Sequence, residues 1–152
     1  MVKPIPDGYH AVTPYLHVQG ASAAIDFYKR AFGAVEIMRM TAEGGKIGHA
    51  ELQIGDSRIM LADENPAIHA HSPKHFGGSP ITLMLYCADV DKTVEKALSE
   101  GAKVTRPIEN QFYGDRNGGI EDPFGYQWFV ATHVEDVSNE EMERRTQAYK
   151  VS

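Results

Sequence analysis

Cysteine is almost missing from this chain. A single thiol, Cys87, among 152 residues permits no internal disulfide and no thiolate zinc cage, so any metal site has to be assembled from histidine and carboxylate side chains. Long apolar runs are missing too. None approaches the roughly 18–20 residues needed to cross a bilayer, and the opening Met1-Val2-Lys3-Pro4-Ile5-Pro6-Asp7-Gly8 has no apolar core of the signal-peptide kind. The expectation is a soluble, cytoplasmic protein with no membrane partner. Nor is there an excess of basic residues: 15 Lys and Arg stand against 21 Asp and Glu, a formal charge of −6. Neutralising phosphates takes clustered cations, so nucleic acid is not an expected partner. The length is that of one compact domain, or of two small halves that share a core.

What is present is a succession of short periodic segments separated by turn signals. Residues 13–18 read as a strand between Gly8 and Gly20; Ile25, Tyr28 and Phe32 then recur at helical spacing until Gly33, with Ser22 as the expected cap. Residues 35–40 alternate, with Val35, Ile37 and Arg39 opposite Glu36, Met38 and Met40. Residues 46–54 alternate as well, with His49, Glu51 and Gln53 on one face, and 58–62 form a fourth strand after the turn Gly55-Asp56. From 65 to 80 the composition shifts to Pro, His, Ser and Gly without a period, a surface loop of 16 residues. Strand 81–87 and a helix with the stripe Val90, Val94, Ala97 and Leu98 follow, then extended segments, the turn Asp122-Pro123-Phe124-Gly125 and strand 126–132. Ser138 with Glu141 is a capping box for a terminal helix.

This order occurs twice. Ile25 matches Val94 at an offset of 69, Gly33 matches Gly101 at 68, and Gly55 matches Gly125 at 70. A duplicated unit of about 70 residues, strand-helix-strand-strand-strand, is the simplest account. A four-stranded sheet with a helix on one face has its other face to cover, so two such sheets are expected to curl around a shared cavity.

The segments Leu16-His-Val-Gln-Gly-Ala-Ser-Ala-Ala-Ile-Asp-Phe-Tyr28 and Asp122-Pro-Phe-Gly-Tyr-Gln-Trp-Phe129, taken with that order, resemble the vicinal oxygen chelate superfamily of glyoxalases, bleomycin-resistance proteins and extradiol dioxygenases. The stretch from Gly114 to Val137 is similar to its PhnB-like branch. The resemblance implies an α+β fold of two tandem βαβββ modules, at about 11–64 and 80–133 of a domain spanning 1–137, with curled sheets around a cavity. A C-terminal helical tail, 138–152, follows. It also implies a homodimer and a small-molecule ligand. In the superfamily's metalloenzymes a divalent ion is held by His and Glu from the first and last strands of each module. Here those positions fall at Thr13 and Thr82, at Met60 (or Ile59 with a shift of one) and at Phe129. None offers the imidazole or carboxylate a hard cation requires. The expectation is no metal at those positions and no cofactor.

Alternation then says what shares the cavity face: Thr13, Tyr15 and His17 from one strand, Thr82, Met84 and Tyr86 from its counterpart, and Gln127, Phe129, Ala131 and His133 from the last. His49, Glu51 and Gln53 join them if that face turns inward, and Met60 completes the set. His17 and Glu51 are the candidate acid and base, since histidine titrates near neutrality and a buried glutamate can be raised toward it; as half-exposed strand residues on a polar face they need no such role. Thr13, Tyr15, His49, Met60, Thr82, Met84, Tyr86, Arg116 and Phe129 are the candidate substrate contacts. Arg116 is able to grip an anion with Asp115 orienting it, or to pin a loop or interface. His49 and Glu51, two apart on a strand, are also a ligand-like pair that His17 would complete as an unorthodox metal site. His69, His71 and His75 sit in the long loop without helical spacing and read as a solvated or lid segment hinged at Gly77-Gly78. Cys87 reads as a small buried hydrophobe. Three functions stay open: an isomerase-, lyase- or hydrolase-type enzyme, a non-catalytic protein that sequesters an antibiotic-like small molecule, and a ligand-sensing or structural dimer without turnover.

Overall fold

A computed structural model describes residues 1–151 of the chain. The first βαβββ unit runs β1 (Tyr15–Val18), α1 (Ala21–Phe32), β2 (Val35–Thr41), β3 (Ile47–Ile54) and β4 (Ser57–Asp63). After a connection holding a 3-10 turn (Pro66–Ile68) and a short helix, α2 (Pro73–Phe76), the pattern repeats as β5 (Thr82–Tyr86), α3 (Val90–Ser99), β6 (Lys103–Asn110), β7 (Asp115–Glu121) and β8 (Gln127–His133). Helix α4 (Asn139–Val151) follows. The two sheets are ordered β1-β4-β3-β2 and β5-β8-β7-β6, with the first and last strand of each unit paired in parallel. Register carries the repeat down to single residues. Tyr15 pairs with Met60 and Met84 with Phe129, so both partners are displaced by 69 positions.

Helices α1 and α3 are each tied at their N-terminal end to the last strand of their own unit. Asp63, at the end of β4, accepts the N–H groups of Gly20 (3.0 Å) and Ala21 (2.9 Å) on one oxygen and that of Ile47 (2.8 Å) on the other. The residue 69 positions on, Thr132, accepts the Val90 N–H at 2.8 Å and donates to the Cys87 carbonyl at 2.9 Å. The expected cap Ser22 is thereby displaced: it lies inside α1, because the orphan N–H groups at the helix entrance are taken by a strand residue 42 positions away. At the other end Gly33, at φ 68°, takes the left-handed conformation and lets its N–H and that of Ala34 return to Lys29 and Tyr28.

Strand β2 departs from simple alternation. Its pairing with β3 shifts between Glu36 and Met38, so Glu36 and Arg39 lie on one face and join in an ion pair at 2.6 Å, while Met38 pairs with Glu51 on the other. The aperiodic connection is also more ordered than its composition suggests. Asn65 and Ala70 form an isolated bridge, Gly77 closes α2, and the rings of His71 and His75 stack at 3.9 Å.

One face of each sheet packs on its helix, and α1 packs on α3, so both units feed a single core. At the junction Phe27, Tyr28 and Phe32 meet Phe124 and Trp128. In their midst is a carboxylate, Asp122, only 3% exposed. It accepts the Tyr28 hydroxyl (2.6 Å) and the Trp128 indole N–H (2.9 Å) on one oxygen, and the backbone N–H groups of Phe124 (2.9 Å) and Tyr126 (3.0 Å) on the other. Burial pushes its pKa up, and these donors pull against that shift. Tyr28→Phe removes one of four donors from a buried carboxylate and is expected to lower unfolding free energy by about 1–3 kcal/mol, with Asp122→Ala costing more; urea unfolding midpoints at constant slope check the order. Equal midpoints for Tyr28→Phe and the natural protein would show that this contact contributes nothing to joining the units.

Candidate functional site

The sheet faces turned away from the helices are open. On the first, one row across the strands reads Tyr15, Met60, Glu51, Met38; the matching row on the second reads Met84, Phe129, Gly119, Arg106. Tyr15, Met84 and Tyr86 are 41%, 45% and 59% exposed, a large apolar surface for one chain to leave in water.

The first face holds a continuous polar chain. The Tyr9 hydroxyl, brought over the sheet by the N-terminal segment, donates to Glu51, and Arg58 lies 5.2 Å from the Tyr9 ring while donating to Gln53. His49 Nε2 is 3.9 Å from the Glu51 carboxylate, and His49 Nδ1 shares a hydrogen bond of 2.7 Å with the Tyr15 hydroxyl. The Tyr15 ring then lies 5.0 Å from that of His17. Desolvation pushes the hydroxyls of Tyr9 and Tyr15 above their ordinary pKa, and the nearby Glu51 charge adds to it. His17 is pushed below its ordinary value by burial, and its Nδ1 is buried without a hydrogen-bond partner. The His17 ring borders a cleft of about 350 Å³ that Tyr15, Lys46, Glu64 and Asn65 also line. The backbone of His17 is fixed from the other unit, since the Tyr126 hydroxyl accepts its N–H and donates to its carbonyl.

His17 and Glu51 thus share a face without touching; Tyr15 and His49 stand between them. Thr13, just before β1, lines a second cleft of about 270 Å³ together with Arg58, Met84 and Tyr86, so this cleft draws on both units. Thr82 pairs with Gln127 at the start of the same face. Arg116 is elsewhere. It makes a two-pronged ion pair with Asp91 at the start of α3 (2.8 and 2.9 Å) and donates to Asn110, on the helix side of the sheet. Strand alternation puts Arg116 and Asp115 on opposite faces, so Asp115 cannot orient it.

The sequence reading missed Tyr9 and the pairing of Asp115 with His133. Asp115, buried, accepts the Tyr86 hydroxyl at 2.8 Å and meets His133 Nδ1 at 2.8 Å; His133 Nε2 meets Asp136 at 2.8 Å. With a carboxylate on each ring nitrogen, His133 has its pKa raised by the hydrogen bonds to Asp115 and then Asp136. Period-two alternation did place His133 with Phe129, but nothing local announces Asp115 as its partner. Tyr9 lies in an aperiodic segment that carries no signal at all.

The metal test is one of donor chemistry. Thr13, Met60, Thr82 and Phe129 occupy the positions implied for ligands, and threonine hydroxyl, thioether and phenyl groups do not make a site for a hard divalent ion. Among the described residues no three His, Cys, Asp or Glu side chains converge as a metal-holding group, His17, His49 and Glu51 included. Among the described residues no helix is long and apolar enough to cross a membrane.

This architecture, two βαβββ units with open sheet faces, has a family. The chain belongs to the glyoxalase/bleomycin resistance protein/dioxygenase superfamily, whose model matches residues 10–130. It is 40% identical over 136 residues to the uncharacterized protein Rv0887c of Mycobacterium tuberculosis, covering 88% of this chain and 80% of that one. Among solved structures it is similar to the Arabidopsis thaliana At5g48480 product, at 28% identity and a TM-score of 0.66 over 81% of this chain and 98% of that one. It also shares its fold with the PhnB protein of Bacillus cereus, at 17% identity and a TM-score of 0.63 over 81% of this chain and 99% of that one.

The His133 contacts carry a pH signature. Because the folded-state pKa is raised above 6.5, the stabilisation is complete below the unfolded value and is lost as pH rises through the folded one. The melting temperature is expected to fall between pH 6 and pH 9, and His133→Gln to lower it at pH 6 while flattening that slope. An unchanged slope in the variant would show that His133 does not carry it.

Proposed function

We propose that the open sheet faces form a small-molecule site and that the protein is an isomerase- or lyase-type enzyme acting by general acid–base chemistry, without the superfamily's usual metal ligands. The observation that carries this reading is the chain Tyr9–Glu51–His49–Tyr15, in which a carboxylate at the centre of a sheet face sits within reach of an imidazole and two phenols. A carboxylate so placed can take a proton from carbon adjacent to a carbonyl, and the His49–Tyr15 pair can supply one to oxygen. Met60, Met84, Tyr86 and Phe129 add an apolar lining of the kind small organic ligands require. Homodimer formation would cover the exposed Tyr15, Met84 and Tyr86 and close the site, in keeping with the dimers common in the superfamily. The second reading, a protein that sequesters a small molecule without turnover, is favoured by the thioether and phenyl groups at the ligand positions, which bind but do not react.

The test is solvent-deuterium exchange into small carbonyl and hydroxy compounds, with EDTA-treated protein and ligands preselected by thermal shift. Exchange is expected to survive chelation and to fall about 10²–10⁴-fold in Glu51→Gln, while the ligand-induced thermal shift is retained. Activity abolished by chelation and restored by a divalent ion would overturn the metal-free mechanism. A ligand that raises the melting temperature but is returned unexchanged supports sequestration.

A further inference from the structure

The two units match residue for residue across their central rows, yet their charges differ. Glu51 stands on β3 where the second unit has Gly119 on β7, and Arg106 stands on β6 where the first has Met38 on β2. The chain has seven arginines. Five are ion-paired with carboxylates, those of Arg30, Arg39, Arg116, Arg144 and Arg145, and Arg58 donates to Gln53. Among the described residues Arg106 alone has no hydrogen-bond or ion-pair partner for its guanidinium. It is held instead by the Phe129 ring, 5.4 Å from guanidinium carbon to centroid.

Three local features set it there. The β6–β7 register shifts on both sides of Arg106, which re-aims its side chain, and Pro107 next to it donates nothing to the ladder. Between Arg106 and Phe129 the intervening strand offers only Gly119. A Cβ at that position would lie 2.6 Å from Thr105 Oγ1 and 3.3 Å from Arg106 Cβ, so a larger residue would clash with Thr105 and crowd the stem of Arg106. The third is the Phe129 ring itself, whose face receives the guanidinium while the side chain stays open to solvent, with Met84 continuing the apolar row on the far side of Phe129.

The geometry points to Arg106 as the anion anchor of the site: its planar fork binds the carboxylate of a small organic acid whose apolar body lies on Phe129 and Met84. A guanidinium presents two parallel N–H donors to a carboxylate, a match that a point charge lacks. The cation stands beside Phe129, one of the four positions at which the resemblance would put a metal ligand, so fixed positive charge is supplied here by a side chain. The assignment rests on the reading that the open faces are the small-molecule site, but not on catalysis by Glu51.

The experiment follows the methionine methyl signals of the full-length protein, assigned with Met84→Leu and Met60→Leu, during titration with sodium benzoate, neutral benzamide and inorganic phosphate. Benzoate is expected to shift the Met84 methyl saturably and at least tenfold more tightly than benzamide, with phosphate leaving it in place. Arg106→Gln should weaken benzoate at least tenfold, and Arg106→Lys should restore only part of that loss, since the charge returns without the fork. Arg30→Gln, on α1 and paired with Glu100 away from the open faces, should bind benzoate as the natural protein does. Equal affinity for benzoate and benzamide, or undiminished benzoate binding in Arg106→Gln, overturns the anchor while leaving the face a ligand site. A Met84 methyl that phosphate shifts as strongly as benzoate overturns the organic-acid class. No response of either methyl to any of the three overturns the anchor and the small-molecule reading together.

Discussion

A carboxylate buried between two halves of the molecule sets the geometry of everything around it. Asp122 begins the turn into β8, takes two backbone N–H groups of that turn, and with its second oxygen takes a hydroxyl from α1 of the first unit and an indole N–H from β8 of the second. Removing any one partner leaves the others in a site of low polarity, which makes the arrangement all-or-none. The turn then delivers Tyr126, whose hydroxyl clamps the backbone of His17 from across the unit boundary. A residue of the candidate site on the first sheet is thus held in place by the turn that Asp122 shapes in the second.

The molecule consequently has a closed side and an open side. The closed side holds α1, α3 and the aromatic cluster that joins the units. The open side carries the polar chain of the first sheet and the Tyr86–Asp115–His133 group of the second. Duplication produced two faces of one design, and the chemistry lies in how they diverged: an acid in one row, a glycine and an arginine in the other. A pocket built from both would present groups of opposite charge, which a pair of identical faces would not.

Much of the architecture was legible before any coordinates. The 68–70 offset between Ile25, Gly33 and Gly55 and their counterparts reappears as the 69-residue register of Tyr15–Met60 and Met84–Phe129, because a repeat constrains local periods and turns that are written in sequence. Alternation put His49 and Glu51 on one face, and they are there. It failed where the backbone slips. A bulge in β2 puts Glu36 beside Arg39, and bulges in β6 aim Arg106 at Phe129; neither leaves a mark in a period-two pattern. Arg116 is a different case: adjacency in sequence suggested Asp115 as its partner, but neighbours on a strand face opposite ways, and its partner is Asp91, 25 positions back.

By itself, then, the sequence determined the fold: period, caps and turn residues act between near neighbours, and hydrophobic patterning leaves few ways to layer two such units. Which polar groups meet was decided by tertiary structure alone. Tyr9 reaches Glu51 across 42 positions and Tyr126 reaches His17 across 109. A hydrogen bond needs its atoms placed to within a few tenths of an ångström, and only the packed core fixes separations that distant in sequence so closely.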